Sequence, residues 1–333
     1  MSTASPRVSI LLPVYQAEAT LGACLESIAR QTERDFECII VDDGSRDASL
    51  SISKPDARFR LLAEPHRGLV ATLNRGLSEC RAPVVARMDA DDLMHRDRLR
   101  LQLAALEQDA ALCGVGSHVR IFPRADLSDG RRAYERWLNH LDSAEALARD
   151  AFIECPIAHP TLAIRTAALR RFGYRDMPWP EDYDLVLRLL AAGERLSVVP
   201  QRLLHWRDAP SRLSRVDPRY HLDAFTACRA SFLAASFLSQ RGDYVLWGYG
   251  DTGKALRRAL LQHDKHPCVI VELHPGRLGQ RIHGAPVIAP EELPQLRGTP
   301  IVVSVAGEIA RAQIRAALHA MCFAELTDYI VCA

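Results

Sequence analysis

The sequence has no Cys-x-x-Cys pair, although it contains nine cysteines. Thiols scattered singly exclude a disulfide framework and a zinc ribbon, and they suit a reduced cytosolic protein. No apolar run approaches the ~20 residues that a membrane-spanning helix needs. Residues 1–7 also lack the apolar core of a signal peptide. The expectation is a cytoplasmic protein without a transmembrane segment. Neither sign of charge dominates: 42 Lys and Arg against 41 Asp and Glu leave a formal net charge of +1. With no basic tract, nucleic acid is not expected as a partner. Arg and Leu interleaved over residues 202–215 leave room for peripheral contact with the inner face of a membrane. Internal repeats and low-complexity tracts are missing as well.

What is present is a chain of 333 residues, long enough for about two domains. Residues 8–12 read as a buried strand ended by Pro13, and 36–41, 59–63 and 83–88 as three more. Apolar spacing predicts helices over 19–30, 68–77 and 99–106. Residues 123–136, rich in Arg and Asp, read as a loop. A short strand at 162–164 and helices at 166–172, 183–192 and 222–238 follow. Arg241-Gly242-Asp243 breaks the pattern, which places a boundary there. A new strand–turn–helix unit begins at Tyr244, with further strands at 269–271 and 301–305 and a helix at 310–321. Strands alternating with helices imply a mostly parallel sheet. Ligands of such sheets bind beyond the carboxyl ends of the strands.

Acidic residues fall at those ends. Asp89-Ala90-Asp91-Asp92 follows the fourth strand, and three carboxylates there repel one another unless a cation sits among them. The chemistry suits Mg²⁺ or Mn²⁺ beside a substrate phosphate. Asp91 is the first choice as metal ligand and Asp89 bonds ribose or water, whereas Asp92 can serve simply as a helix cap. Asp42-Asp43-Gly44 follows the second strand. One of its acids accounts for an Asx-type turn before the next helix, and the other is left to meet an imide N–H of a nucleobase. Glu181 and Asp182 open a helix after Trp179. Favourable charge at a helix N-terminus explains one of them, and the other suits a general base.

These segments in this order resemble family 2 glycosyltransferases of the GT-A fold: Pro13-Val14-Tyr15, Val41-Asp42-Asp43-Gly44-Ser45, Asp89-Ala90-Asp91-Asp92 and Glu181-Asp182-Tyr183-Asp184. Leu73-Asn74-Arg75-Gly76-Leu77 and His159-Pro160-Thr161 are also similar to family segments. The likeness covers roughly residues 8–214. It implies inverting transfer of a sugar from a nucleoside-diphosphate sugar, a UDP-sugar for preference, to a hydroxyl of a glycan or lipid-linked acceptor in surface polysaccharide or glycoconjugate assembly. By the resemblance Asp43, with Asp42, reads the nucleobase beside Pro13 and Tyr15. Asp91 and Asp89 hold Mn²⁺ or Mg²⁺, and Asp182 is the base. Glu181, Trp179 and His159 lie on the acceptor side. His205 is a candidate metal ligand or a packed residue, and Arg207 a candidate phosphate partner. Gln16 stands where the family usually has Asn.

Residues 1–240 would then form the GT-A domain and 241–333 a small Rossmann-like accessory domain. In the latter, Gly248-x-Gly250-x-x-Gly253 follows a strand and opens a helix, and Glu272 ends the next strand where a ribose-binding acid belongs. The same glycines equally serve tight helix–strand packing. Two alternative functions use this turn: a nucleotide-sugar oxidoreductase and a non-catalytic nucleotide-sugar sensor.

Overall fold

The computed structural model describes residues 5–52, 54–210 and 212–333. The strands are β1 (Val8–Val14), β2 (Phe36–Asp43), β3 (Phe59–Glu64), β4 (Val84–Arg87), β5 (Leu93–Met94), β6 (Leu112–Phe122), β7 (Ala163–Arg165) and β8 (Arg195–Arg207), then β9 (Asp243–Trp247), β10 (His266–Val271), β11 (Arg281–Ile282), β12 (Ala285–Ile288), β13 (Ile301–Val303) and β14 (Tyr329–Val331). The helices are α1 (Leu21–Ala29), α2 (Leu69–Glu79), α3 (Arg98–Gln108), α4 (Asp129–Leu138), α5 (Ala144–Asp150), α6 (Thr166–Phe172), α7 (Glu181–Ala191), α8 (Leu213–Val216), α9 (Leu222–Ala235), α10 (Asp251–Leu261) and α11 (Glu308–Ala320).

The chain divides into two compact units. The first takes the chain up to Ala148 with Pro156–Met177 and Asp184–Arg212; the second takes Arg149–Cys155, Pro178–Tyr183 and Leu213–Ala333. The first holds an eight-stranded sheet of order β3-β2-β1-β4-β7-β6-β8-β5. Strands β3, β2, β1 and β4 run parallel, and β7 enters antiparallel to both β4 and β6. This is a mixed α/β sheet dominated by parallel pairs. Strands β1 and β2 are buried along their whole length, as central parallel strands covered on both faces must be. α1 lays Leu21, Cys24, Leu25 and Ile28 on this core.

Register sets the functional edge. Pro13 pairs with Val41 and Val14 with Asp42, while the pairing of β1 with β4 stops at Leu11 and Arg87. Pro13 therefore does not end its strand as expected: beyond Leu11 no β4 neighbour needs its missing N–H. Two long strands, β6 and β8, were not expected at all, and residues 129–138 form α4 where a loop was read. Ser128 caps that helix by accepting the Arg131 N–H at 3.2 Å, and Tyr134, Trp137 and Trp206 pack as a ring cluster.

The second unit holds a sheet of order β11-β12-β10-β9-β13-β14, parallel except for β11. The break read at Arg241-Gly242-Asp243 lies inside this unit, because α9 buries Ala230 and Leu233 in the same core as Tyr244 and Leu246. Two earlier segments belong to it too. Arg315 bonds Asp150 at 2.7 Å, Arg229 reaches the Ile153 carbonyl at 3.1 Å, and the Tyr183 hydroxyl donates to the Ala151 carbonyl at 2.8 Å.

The glycine turn is tightly built. Gly248 has φ +95°, and a Cβ on Gly253 would collide with the Gly248 carbonyl oxygen. That obstacle is backbone and cannot rotate away. Gly253→Ala is expected to destabilise the second unit by about 1–3 kcal/mol, read as a lowered calorimetric midpoint. An unchanged midpoint would show that packing does not require this glycine.

Candidate functional site

Two acidic groups of the first unit follow the carboxyl ends of β2 and β4, the strands on either side of β1. One carboxylate oxygen from each of Asp89, Asp91 and Asp92 can be drawn together within 4.8 Å of one another. The loop that carries them starts where β4 leaves the sheet, with the Met88 N–H on the Leu11 carbonyl at 3.1 Å. Its geometry is fixed from below by arginines. Arg87, 3% exposed, holds Asp89 Oδ1 at 2.7 Å and also bonds the Met88 carbonyl. Arg98 is fully buried. It donates to the Arg87 carbonyl at 2.8 Å and to Gln102 Oε1 at 2.9 Å. Gln102 in turn donates to the carbonyls of Val115 and Thr161. Burial pulls the Arg98 guanidinium down to about 9, with Arg87 lowering it further and Asp92 opposing; at neutral pH it remains a cation.

The three carboxyls differ in charge preference. Burial disfavours ionisation of Asp89, but Arg87, then Arg212 and His159, outweigh it and hold the group below the usual carboxylate range. Burial raises Asp91, with Asp89 adding to the rise and Arg212 opposing it. Asp92 is fully buried and pushed well above the usual range by that burial and by Asp91 and Asp89, again against Arg212. Asp92 is not the cap of the next helix: α3 begins after Asp97. Its Oδ1 accepts the Arg207 N–H at 2.7 Å, and its Oδ2 is buried without a hydrogen-bond partner. A buried acceptor without a donor costs free energy. An oxygen-only donor set with one such atom fits a hard divalent cation, Mg²⁺ or Mn²⁺.

Asp42 and Asp43 end β2 and are both buried. Asp43 is engaged on both oxygens, accepting the N–H groups of Arg67 at 2.7 Å and Gly68 at 2.9 Å at the start of α2. His66 Nδ1 adds a contact to Oδ2 at 2.8 Å. Asp42 makes the Asx-type bond, Oδ2 accepting the Ser45 N–H at 2.9 Å, and its Oδ1 is left buried without a partner. Beside them Pro13 is buried and Tyr15 is 45% exposed. The Tyr15 ring stacks on His66 with centroids 4.5 Å apart. Gln16 adopts φ +48°, a left-handed conformation that Asn tolerates better, which gives a physical reason for the Asn usual in the family. His66 carried no signal in the sequence.

Other expected residues lie elsewhere or do other work. His205 is exposed and meets Phe122 edge-on at 6.4 Å; the metal-capable group among the described residues does not include it. Alternation along β8 explains this, because His205 pairs with Leu93 and Arg120 on neighbouring strands. Arg207 does not present a free fork: its Nε donates to the Asp91 carbonyl at 2.7 Å, and its guanidinium lies 4.6 Å from the Phe122 centroid. His159 is buried, with Nε2 3.0 Å from the Tyr174 hydroxyl, and it acts on Asp89 through its charge. That places it under the acidic loop.

Asp182, Glu181 and Trp179 belong to the second unit. Asp182 is half-buried at the first turn of α7, and its Oδ1 accepts the Tyr183 N–H at 2.7 Å. Glu181 is buried and accepts the Tyr220 hydroxyl at 2.5 Å. Burial, then Glu181 and Asp182, push the Tyr220 hydroxyl far up, so it stays a donor. Trp179 is half-buried. In the same unit Glu272 accepts the Tyr249 N–H at 2.9 Å and meets Arg277 at 2.8 Å. The acid expected for a ribose is thus tied to the glycine turn itself, while Gly250 caps α10 with open space about it.

Comparison with known proteins agrees with the geometry. The family model described as Glycosyl transferase family 2 matches residues 9–173. The putative glycosyltransferase EpsE of Bacillus subtilis (strain 168) is 30% identical over 238 residues, spanning 67% of this chain and 82% of EpsE. An uncharacterized glycosyltransferase of Haemophilus influenzae is 30% identical over 217 residues, 63% of this chain and 79% of its own. Among solved structures, S. aureus TarS 1-349 in complex with UDP-GlcNAc superposes with a TM-score of 0.54 at 16% identity, over 77% of this chain and 72% of that one. The mannosyltransferase PcManGT from Pyrobaculum calidifontis, in complex with GDP-Man and Mn²⁺, gives 0.51 at 20% identity over 78% and 74%. With the GT-A fold of these structures, the motif-bearing strands of its first unit and a relative matched over most of its length, the chain belongs to glycosyl transferase family 2.

Proposed function

We propose that this glycosyltransferase moves a sugar with inversion from a nucleoside-diphosphate sugar, a UDP-sugar for preference, to a hydroxyl of a glycan or lipid-linked acceptor, with Mn²⁺ or Mg²⁺, in surface polysaccharide or glycoconjugate assembly. The observation that carries the reading is the oxygen cluster of Asp89, Asp91 and Asp92, one strand away from the unpartnered Asp42 oxygen. Complexes of TarS with UDP-GlcNAc and of PcManGT with GDP-Man and Mn²⁺ support the donor class and the ion.

On this reading Asp42, rather than the fully engaged Asp43, offers an acceptor to the N–H of the nucleobase, and Asp43 with His66 and Tyr15 shapes the wall beside it. Asp91 and Asp89 are the metal ligands. A divalent ion bound there supplies positive charge that makes the diphosphate a better leaving group. Arg207 holds the acidic loop through the Asp91 carbonyl.

Asp182 is the base. It takes the proton of the acceptor hydroxyl as that oxygen attacks the anomeric carbon and the bond to the diphosphate breaks. Its neighbour Glu181 accepts the Tyr220 hydroxyl. The oxidoreductase alternative is disfavoured because Glu272 is committed to Tyr249 and Arg277. No helix among the described residues is long and apolar enough to cross a membrane. A lipid-linked acceptor would therefore be reached at the membrane surface.

Two variants test the roles. Asp182→Asn is expected to bind donor as the parent does and to lose about 10²–10⁴ in kcat/KM; a purified variant with an undiminished transfer rate sinks the assignment. In a thermal-shift panel of UDP- and GDP-sugars with and without Mn²⁺, the parent should gain stability from its donor only when Mn²⁺ is present, by about 2.7 kcal/mol at a hundredfold excess over Kd. Asp91→Ala should show no Mn²⁺-dependent gain, and an equal gain in that variant would remove Asp91 from the metal site.

A further inference from the structure

Three arginines meet the acidic cluster, and they are held differently. Arg87 and Arg98 are almost wholly buried. Arg87 sits on Asp89 Oδ1 at 2.7 Å, and Arg98 is locked between Gln102 and the Arg87 carbonyl. Arg212 lies five residues past the end of β8. Its Nη2 is 3.3 Å from Asp89 Oδ2 and its Nε 3.8 Å from Asp91 Oδ2, long distances for a charge-assisted pair. Its remaining holds are the Arg207 carbonyl and the Trp206 ring, whose centroid is 5.2 Å away.

Arg212 faces two of the three carboxylates that could hold a divalent ion, and on Asp89 it faces the oxygen that Arg87 leaves open. A guanidinium and a metal ion cannot both use them at close range: each pairs with the same negative charge, and each repels the other. A diphosphate changes that balance. It brings further negative charge to the ion and offers planar oxygen pairs that match a guanidinium fork.

We propose that Arg212 is an exchangeable counter-cation. It neutralises Asp89 and Asp91 when no donor is bound, opposes the divalent ion there, and passes to the diphosphate when the nucleotide arrives. Donor and metal then bind cooperatively, because the nucleotide removes the competitor. The inference rests on the donor and metal reading given above and adds a binding residue and a coupling to it.

The test is Mn²⁺ affinity of the full chain, read from the electron paramagnetic resonance of free Mn²⁺, with no nucleotide and with saturating UDP or GDP. The parent should bind Mn²⁺ weakly alone and about 5–150-fold more tightly with nucleotide, a normal range for coupled sites. Arg212→Gln should bind Mn²⁺ about tenfold more tightly than the parent without nucleotide, since a neighbouring positive charge is gone, and should lose most of the nucleotide effect. Arg212→Met, which keeps the stem over Trp206, should behave like the Gln variant, and Arg212→Lys like the parent. If one neutral variant does not fold, as judged by circular dichroism, the other carries the comparison. Unchanged or weaker Mn²⁺ binding in a folded neutral variant overturns the exchange while leaving the metal site standing. A parent that binds no Mn²⁺ with or without nucleotide overturns both the exchange and the metal reading.

Discussion

Like charge is the constraint around which the first unit is built. Ionised carboxylates within 4.8 Å of one another repel by about 3 kcal/mol or more at the effective dielectric of a protein surface, and Asp89, Asp91 and Asp92 would form three such pairs if all were ionised. Nothing in a Met-Asp-Ala-Asp-Asp loop offsets that. The compensation comes from Arg87 at the last position of the strand that leads into the loop and from Arg98 at the first position of the following helix. Arg87 binds one carboxylate directly; Arg98 binds the Arg87 carbonyl. The asymmetry shows in the carboxyls: Asp89, next to Arg87, is held ionised, and Asp92 is driven toward its neutral form chiefly by burial. A loop in this condition is strained electrostatically and prepared for an added cation.

The carboxyl-end crevice was legible because it depends on strand periodicity and topology alone. The parallel strands were signalled by short β-branched runs such as Ile39-Ile40-Val41, the second and fourth stopped by acidic turns, and the right-handed crossover then fixes which end the turns occupy. The features that escaped are those in which tertiary packing overrides local pattern. β6 contains Gly114 and Gly116, which lower strand propensity, yet a Cβ at Gly114 would press on the Ala163 carbonyl and Leu196: the glycines are there to admit neighbouring strands. α4 is polar by composition and is held by its Ser128 cap and by Tyr134, which packs on Trp137 and on Trp206, the latter about 70 positions away where no window includes it.

The same distinction runs through the site. Sequence identified paired acids but could not say which member of each pair is spent on backbone. In the first pair Asp43 supports the entrance to α2 and Asp42 keeps one oxygen free of hydrogen bonds. In the second, Glu181 accepts the Tyr220 hydroxyl and Asp182 accepts the Tyr183 N–H. In the first pair both residues accept backbone N–H groups, and in the second Glu181 is held by a side-chain hydroxyl while Asp182 accepts a backbone N–H. His66 and Arg212 were invisible because each gains its role from a partner far away in sequence, Asp43 and Asp89 respectively.

This division also changes the meaning of the second unit. A boundary near residue 241 makes it an appendage whose glycine turn must explain its presence. In the structure that turn is self-sufficient: Gly253 is packed under the Gly248 carbonyl, and Glu272 closes on the Tyr249 N–H. What the unit does possess is the segment Pro178–Tyr183, secured by Tyr183 on Ala151 and by Tyr220 on Glu181. The packing that orients the proposed base is thus supplied by residues of α9 and the turn before it, Phe225 stacking on Tyr183 with centroids 5.6 Å apart. Substitutions at Tyr220 and Phe225 therefore act on the first turn of α7 through Glu181 and Tyr183.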